Sequence, residues 1–321
     1  MTRILTAKPL FLSVAVLAAA TTAHAGTYEF TAGDVGGTWY TTAAGISALV
    51  HEKAPDITMK TVPGGGVSNP SKVDKGDSQF GLVQSIFAVA AVKGADPFTG
   101  KPHQKLRLVA DDLAINYLHM VKAADDTTTF ANILDGKRKI GIPKSGSTDE
   151  YSFRYVMDYY KTTYAKLKAD GKIFNAGYTD LASSFKDHQI DYVWVLFGLP
   201  SSMVLDASEG RAVGLVSFPD DLRQHLSKTY GYGQKVIPAG TYQFLKQDVS
   251  VLTTATSLYS STDVPDDVVY QVVKVLCENT GRLPEIHKSL SDFSCKDAAG
   301  TGAVALHPGA AKYYRERGFL K

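Results

Sequence analysis

The chain has 321 residues, with 34 Lys+Arg against 32 Asp+Glu, a formal net charge of +2 and 44% hydrophobic residues. That balance argues against a nucleic-acid partner or a polybasic membrane patch, and the length suffices for two lobes with cores of their own. None of the 8 histidines pairs with another at i+3 or i+4 and no His/Cys/Asp/Glu spacing suits a metal, so neither metal nor cofactor is expected.

Residues 1–25 read as a secretory signal peptide. Arg3 and Lys8 make a basic start, Leu10 to Ala20 an apolar run, and Ala23-His24-Ala25 an A-x-A cleavage site, so the mature chain is expected to begin at Gly26. The apolar run is too short to span the roughly 30 Å of a bilayer core. Cleavage takes two of the 34 basic residues and none of the 32 acidic ones, which leaves 32 of each. In an exported chain an even pair of cysteines, here Cys277 and Cys295, most often means a disulfide; two buried free thiols are the alternative.

Thr27 to Ala32 reads as a strand, followed by a glycine turn and a helix from Thr38. Gly36 and Gly37 let the backbone approach a guest closely, and the helix start offers free N–H groups and the positive end of its dipole to an anion. A turn that only reverses the chain is the bland alternative, and the spacing is not the dinucleotide fingerprint. Ile57 to Val62 is a strand, Gly64 to Gly66 a turn, Ser68 and Asn69 a helix start, and Phe80 to Val83 a strand ending in Gln84-Ser85. Ligands sit at the carboxyl ends of strands in such parallel α/β units, which places Gln84 in a candidate site.

Ile86 to Val92 reads as helical. Leu106 to Ala110 and Tyr117 to Val121 read as two strands, the second crossing to another lobe. Phe130 to Lys137 is a short helix and Lys139 to Ile142 a strand. A second small-polar turn, Ser145-Gly146-Ser147-Thr148, then opens an amphipathic helix over 148–169. Two anion-ready helix starts more than 100 residues apart suggest two lobes facing one ligand. Leu181 to Asp187 is a helix and Asp191 to Phe197 a buried strand, with Gly198 to Ser201 at its carboxyl end toward the same cleft. Val213 to Ser217 and Val249 to Ala255 are extended. Val264 to Asn279 and a segment from Pro308 are helical.

The order of GGTWY (36–40), PGGGVSN (63–69), FGLVQS (80–85), SGST (145–148), FGLPSS (197–202), IPAGTY (237–242) and ALHPGAAKYYRERGF (305–319) resembles the TAXI family of TRAP-transporter solute receptors across essentially the whole mature chain. The HPGA…YY…RG element and the PAGTY turn are the most telling pieces. The resemblance implies a type II periplasmic binding protein: an α/β chain in two hinged lobes, 26–115 with 245–321 and 116–244, and a cleft between them. It implies a monomeric periplasmic receptor rather than an enzyme. Such a receptor captures a small organic anion, such as a glutamate- or 2-oxoglutarate-like dicarboxylate, for an ion-gradient-driven TRAP permease.

Carried over, the ligand residues are Thr38, Trp39 and Tyr40; Val67, Ser68 and Asn69; Gln84; Ser145, Gly146 and Ser147; and Gly198 and Ser201. Two departures stand out. Pro70 follows Asn69 within a helix start, and Trp39 stands where a tyrosine is expected, which points to a shifted substrate class. None of these segments carries an arginine, unlike the other large TRAP receptor family, which clamps a carboxylate with one. Arg154 reads as a surface residue, or at most a supporting one. A receptor for an ATP-driven importer or a sensor shares the fold and stays open. So does an exported enzyme, although no G-x-S-x-G elbow is present.

Overall fold

The structure, a computed structural model, describes residues 25–135, 138–300 and 304–320. The signal-peptide reading falls on residues outside these. Among the described residues ten strands join in one sheet: β1 (Gly26–Thr31), β2 (Ile57–Val62), β3 (Phe80–Gln84), β4 (Leu106–Ala123), β5 (Ile140–Pro143), β6 (Ile173–Ala176), β7 (Tyr192–Phe197), β8 (Val213–Leu215), β9 (Gly233–Ile237) and β10 (Val249–Ser261). Their order is β2-β1-β3-β10-β4-β7-β5-β6, with β8 beside β4 and β9 beside β10.

The sheet consists of the same motif used twice. In the first half β1 lies between β2 and β3 and runs parallel to both. In the second, β5 lies between β6 and β7 and again runs parallel to both. Each central strand therefore feeds a helix whose next strand lies on one side, while the third strand lies on the other. That is a topological switch point, where helices diverge and open a crevice at the carboxyl ends of the strands. The apolar content agrees: β3, β5 and β7 are buried throughout, as parallel strands covered on both faces must be.

The halves are joined by β4 and β10, which run antiparallel over Leu106–Tyr117 and Thr253–Ser261. β4 then continues into pairing with β7 and β8. β10 pairs with β3 at its end and β9 at its start. Both strands belong to both halves, and the sequence reading of two strands at 106–110 and 117–121 is corrected to one. Asp111-Asp112 broke the apolar pattern, yet the backbone passes through them, with Asp112 at φ 46 and Asp111 Oδ1 accepting from Ser257 Oγ at 2.5 Å. The register of the pair shifts on either side of Leu258. The helix read over 148–169 is likewise two, Thr148–Tyr159 and Tyr164–Ala169. Lys161 adopts φ 57 between them, and Thr163 caps the second by accepting from Lys166 N–H at 3.1 Å.

Three buried clusters fill the fold. One lies under helices Thr38–Lys53 and Asp266–Glu278, one spans both halves around Phe87, Tyr155 and Trp194, and one lies behind β7 around Phe185 and Val195. Cys277, near the end of helix Asp266–Glu278, is joined by a disulfide to Cys295, with Cα atoms 5.5 Å apart and a separation of 18 residues. A loop of that length constrains the unfolded chain by about 3 kcal/mol. The Cys277→Ser, Cys295→Ser double variant is therefore expected to lose about 3 kcal/mol in urea denaturation; an unchanged midpoint would contradict that stabilisation.

Candidate functional site

A cavity of about 190 Å³ sits where the carboxyl ends of the two parallel motifs meet. Its walls include the turn after β1 (Gly33, Asp34, Gly37, Thr38, Trp39) and the loop after β2 (Gly64, Gly65, Gly66, Ser68). Gln84 closes β3, Asn116 comes from the crossing part of β4, and Lys144 to Asp149 follow β5. Leu196 and Phe197 end β7, and Tyr178 opens a helix of the second half.

The helix Thr38–Lys53 starts on this wall. Its N-cap is Gly37, which has no side chain to cap it; Tyr40 N–H turns back to Gly37 O at 3.1 Å, which leaves the N–H groups of Thr38 and Trp39 with capacity for a guest. Thr38 Oγ1 is buried there with no hydrogen-bond partner. A buried hydroxyl left unpaired is costly. Trp39 Nε1 donates to Thr256 Oγ1 at 2.8 Å, across to β10. Asn116 Nδ2 donates to the same oxygen. The indole is thus pinned to the crossing strand.

Glycines let the two halves touch. A Cβ on Gly66 would lie 1.6 Å from Thr148 Oγ1, and one on Gly64 would lie 2.2 Å from Asn69 Oδ1. Val67 N–H donates to Gly146 O at 3.3 Å. Thr148 Oγ1 donates to Gln84 Oε1 at 2.6 Å, so the Gln84 amide crosses the cleft and keeps its NH₂ donors uncommitted. Lys144 Nζ lies 3.5 Å from Asp34, with the lysine side chain 63% exposed; such a pair contributes little, but it also bridges the cleft.

The second helix start differs from the first. Ser147 Oγ accepts from Glu150 N–H at 3.1 Å, and Glu150 Oε2 accepts from Gly146 N–H at 3.2 Å. This is a reciprocal capping arrangement close to a capping box. Arg154 Nε donates to Glu150 Oε1 at 2.6 Å, and its guanidinium lies over the rings of Tyr151 and Tyr164. Arg154 therefore neutralises a buried capping carboxylate instead of standing free on the surface. The hydroxyl of Ser147, read as a ligand group, is committed to the cap.

Thr38, Trp39, Ser68, Gln84, Ser145, Gly146 and Ser147 line the cavity. The other expected residues do not. Tyr40 points about 100° further round its helix than Trp39. Val67 contributes its N–H to Gly146 O, while its side chain packs on the spanning core cluster. Asn69 is wholly buried beneath the loop: Oδ1 accepts from Gly65 N–H and Thr31 Oγ1, both at 2.9 Å. Its Nδ2 donates to Ala32 O at 2.6 Å and Leu82 O at 2.8 Å. Every polar position of Asn69 is spent on joining β1, the glycine loop and β3.

Gly198 turns away from the cavity and packs on Ser289, which a Cβ there would approach to 2.6 Å. Ser201 is buried and caps Ser202–Ser208 by accepting from Val204 N–H at 3.2 Å. Its own N–H donates to Tyr242 Oη at 3.0 Å. Tyr242 Oη in turn meets His119 Nε2 at 2.9 Å. Burial holds His119 neutral, its pKa pushed down to about 4. The tyrosine of the PAGTY turn is thus a structural bolt.

Sequence reasoning missed Asp34, Asn116, Lys144, Asp149 and Tyr178. Asp149 had a visible signal, an acid in the first turn after SGST, but that is ordinary helix-start chemistry. Here Asp149 is 3% exposed. Its Oδ1 accepts from Leu196 N–H at 2.6 Å and its Oδ2 from Tyr178 O–H at 3.2 Å. Burial pushes its pKa up to about 7, with Asp34 adding to the rise and the bonds from Leu196 and Tyr178 opposing it.

These features define a two-lobed α/β protein with its polar site at the junction of the lobes. The chain belongs to the NMT1-like family, whose model matches residues 30–318. Among solved structures it is similar to the periplasmic binding protein BugD, at 11% identity over 92% of this chain and 98% of that one, with a TM-score of 0.53. It is also similar to MatC from Rhodopseudomonas palustris with bound malate, at 14% identity over 90% and 96%, with a TM-score of 0.53. At these identities the likeness shows the fold, that of the two-lobed periplasmic binding proteins.

The raised pKa of Asp149 has a consequence for stability. Between about pH 4 and 7 the folded protein holds a proton that the unfolded chain has released, so stability falls as pH rises through that window and levels off above it. Asp149→Asn is expected to remove this slope, on the order of 1 kcal/mol per pH unit, in urea denaturation at pH 4.5 and 7.5. Equal slopes for variant and wild type would contradict it.

Proposed function

We propose that the protein is a periplasmic solute-binding receptor. It captures a small organic anion in the interlobe cavity and presents it to a membrane permease. The observation that carries this reading is the uncapped start of helix Thr38–Lys53 on the cavity wall, with the unpartnered hydroxyl of Thr38 beside it. Free N–H groups, a helix dipole and a buried donor together match a carboxylate. The donors of Gln84, Ser145 and Lys144 complete a set without arginine. The finer reading is a receptor of the TAXI type, serving an ion-gradient-driven TRAP permease. It rests on the sequence motifs, several of which have structural roles here: GGTWY and SGST form the cleft walls, and PAGTY bolts the second lobe.

The lobes are proposed to be 26–115 with 245–321, and 116–244. The first change of lobe falls inside β4 and the second just before β10 begins at Val249, where these connecting strands can flex as a hinge. Contacts from Gln84 to Thr148 and from Val67 to Gly146 belong to the closed form, in which the ligand is shielded from water. The proposed ligand carries at least one carboxylate, in the size range of glutamate or 2-oxoglutarate.

A thermal-shift screen of organic acids and amino acids on the mature protein, followed by calorimetry, tests this reading. Thr38→Val keeps the shape and removes the hydroxyl, and is expected to weaken the best ligand by about 0.5–1.5 kcal/mol. Wild-type affinity in Thr38→Val would remove Thr38 from the site, and a screen without any hit among organic anions would contradict the proposed class.

A further inference from the structure

The structure holds three buried acidic side chains among the described residues, Asp126, Asp149 and Glu150. Two have a cation: Asp126 meets Arg138 at 2.6 Å, and Glu150 is paired with Arg154. Asp149 has none. Its partners, Leu196 N–H and Tyr178 O–H, are neutral, and it alone of the three lines the cavity. A buried carboxylate without a cation is expensive, and this one sits in a site whose other features favour an anion. Its two oxygens meet one backbone N–H and one phenol hydroxyl.

The surrounding charges do not relieve it. From the turn after β1 comes Asp34, held against Lys144 at 3.5 Å. Lys144 belongs to the turn that leads into the helix of Asp149, and Glu150 on that helix is matched by Arg154. Tyr178 and Tyr232 face it as neutral phenols whose pKa values are raised by burial. From β7 come the N–H of Leu196 and, near the Asp149 backbone, Trp194 Nε1, which donates to Asp149 O at 2.9 Å.

We propose that Asp149 is a specificity-determining residue that accepts from a protonated amine of the ligand, so that the cavity selects an amino carboxylate over the matching plain dicarboxylate. The assignment rests on the organic-anion reading above and deepens it. The carboxylate of the ligand goes to the start of helix Thr38–Lys53, and its ammonium group to Asp149. The ligand then brings the cation that the buried acid lacks. Because the carboxyl of Asp149 is pushed up to about 7 before the ligand arrives, binding of an amine releases its proton. Affinity for the amino carboxylate therefore rises with pH from 6 to 8, by up to about tenfold per pH unit on the acid side.

The test is calorimetry of the mature protein with two matched pairs of probes, L-glutamate with glutarate and L-aspartate with succinate, at pH 6 and pH 8, on wild type and Asp149→Asn. The wild type is expected to prefer the amino member of a pair by tenfold or more at pH 8 and to lose most of that preference at pH 6. In Asp149→Asn the preference is expected to vanish or reverse, with the plain dicarboxylate gaining affinity. The wild-type pH dependence is independent of how well the variant folds. A wild type that binds the plain member equally well at pH 8, or whose preference for the amino member grows as pH falls, overturns the assignment, as does a variant that keeps the amino preference. In those cases the organic-anion reading survives. No binding of any of the four probes to either protein overturns both.

Discussion

The antiparallel pairing of β4 with β10 is the constraint on which the molecule depends. Each of the two parallel motifs is a complete α/β unit with a switch point, but neither encloses a site. Only because both crossing strands belong to both halves do the two crevices face each other. The register shift beside Leu258 and the positive φ of Asp112 mark where this shared ladder departs from regular geometry. That irregularity lies in the ladder that joins the two halves, while the pairs on either side remain regular. Asn116 and Thr256 come from the same crossing strands and hold Trp39, so a shift of these strands reaches the cavity wall through direct hydrogen bonds.

The two helix starts share a topology but have divided the work. The second is satisfied internally: Ser147, Glu150 and Arg154 form a closed capping network, which makes that wall rigid. The first is left open, with glycine at its cap and an unpartnered hydroxyl. A rigid wall facing an unsatisfied one suits a receptor, since the second wall needs no rearrangement and the first gains most when a guest arrives. The glycine loop after β2 allows this close approach. Gly66 leaves room for Thr148, and Asn69 fastens the loop from beneath.

Much of the fold was legible in the sequence, because alternating apolar runs bounded by glycine and proline specify strands and turns directly. β2 was read to its ends, and the placement of the cleft at the carboxyl ends of β1, β3 and β5 followed from chain order alone. The continuity of β4 was not legible, because Asp111-Asp112 interrupts the apolar pattern and only the partner strand restores it. Asn69 and Ser201 were read as ligand groups because motif position does not reveal which way a polar side chain is spent. Each is buried and already committed: Asn69 Nδ2 donates to Ala32 O and Leu82 O, and Ser201 Oγ accepts from Val204 N–H as a helix cap. Asp149 was hidden for the opposite reason. An acid in a first helical turn needs no special explanation until the structure shows it buried without a cation.

The central claim, that the ligand sits between the lobes against the start of helix Thr38–Lys53, has a direct optical test. The chain has 2 tryptophans: Trp39 on the cavity wall, and Trp194 wholly buried in a core cluster, off the lining but donating to Asp149 O. Titration with a ligand found by thermal shift should change the intrinsic fluorescence saturably, with the same midpoint as calorimetry. Most of the change should disappear in Trp39→Phe, leaving only the smaller response of Trp194. An undiminished fluorescence change in Trp39→Phe, or none in wild type while calorimetry shows the ligand bound, would place the ligand elsewhere and contradict the account.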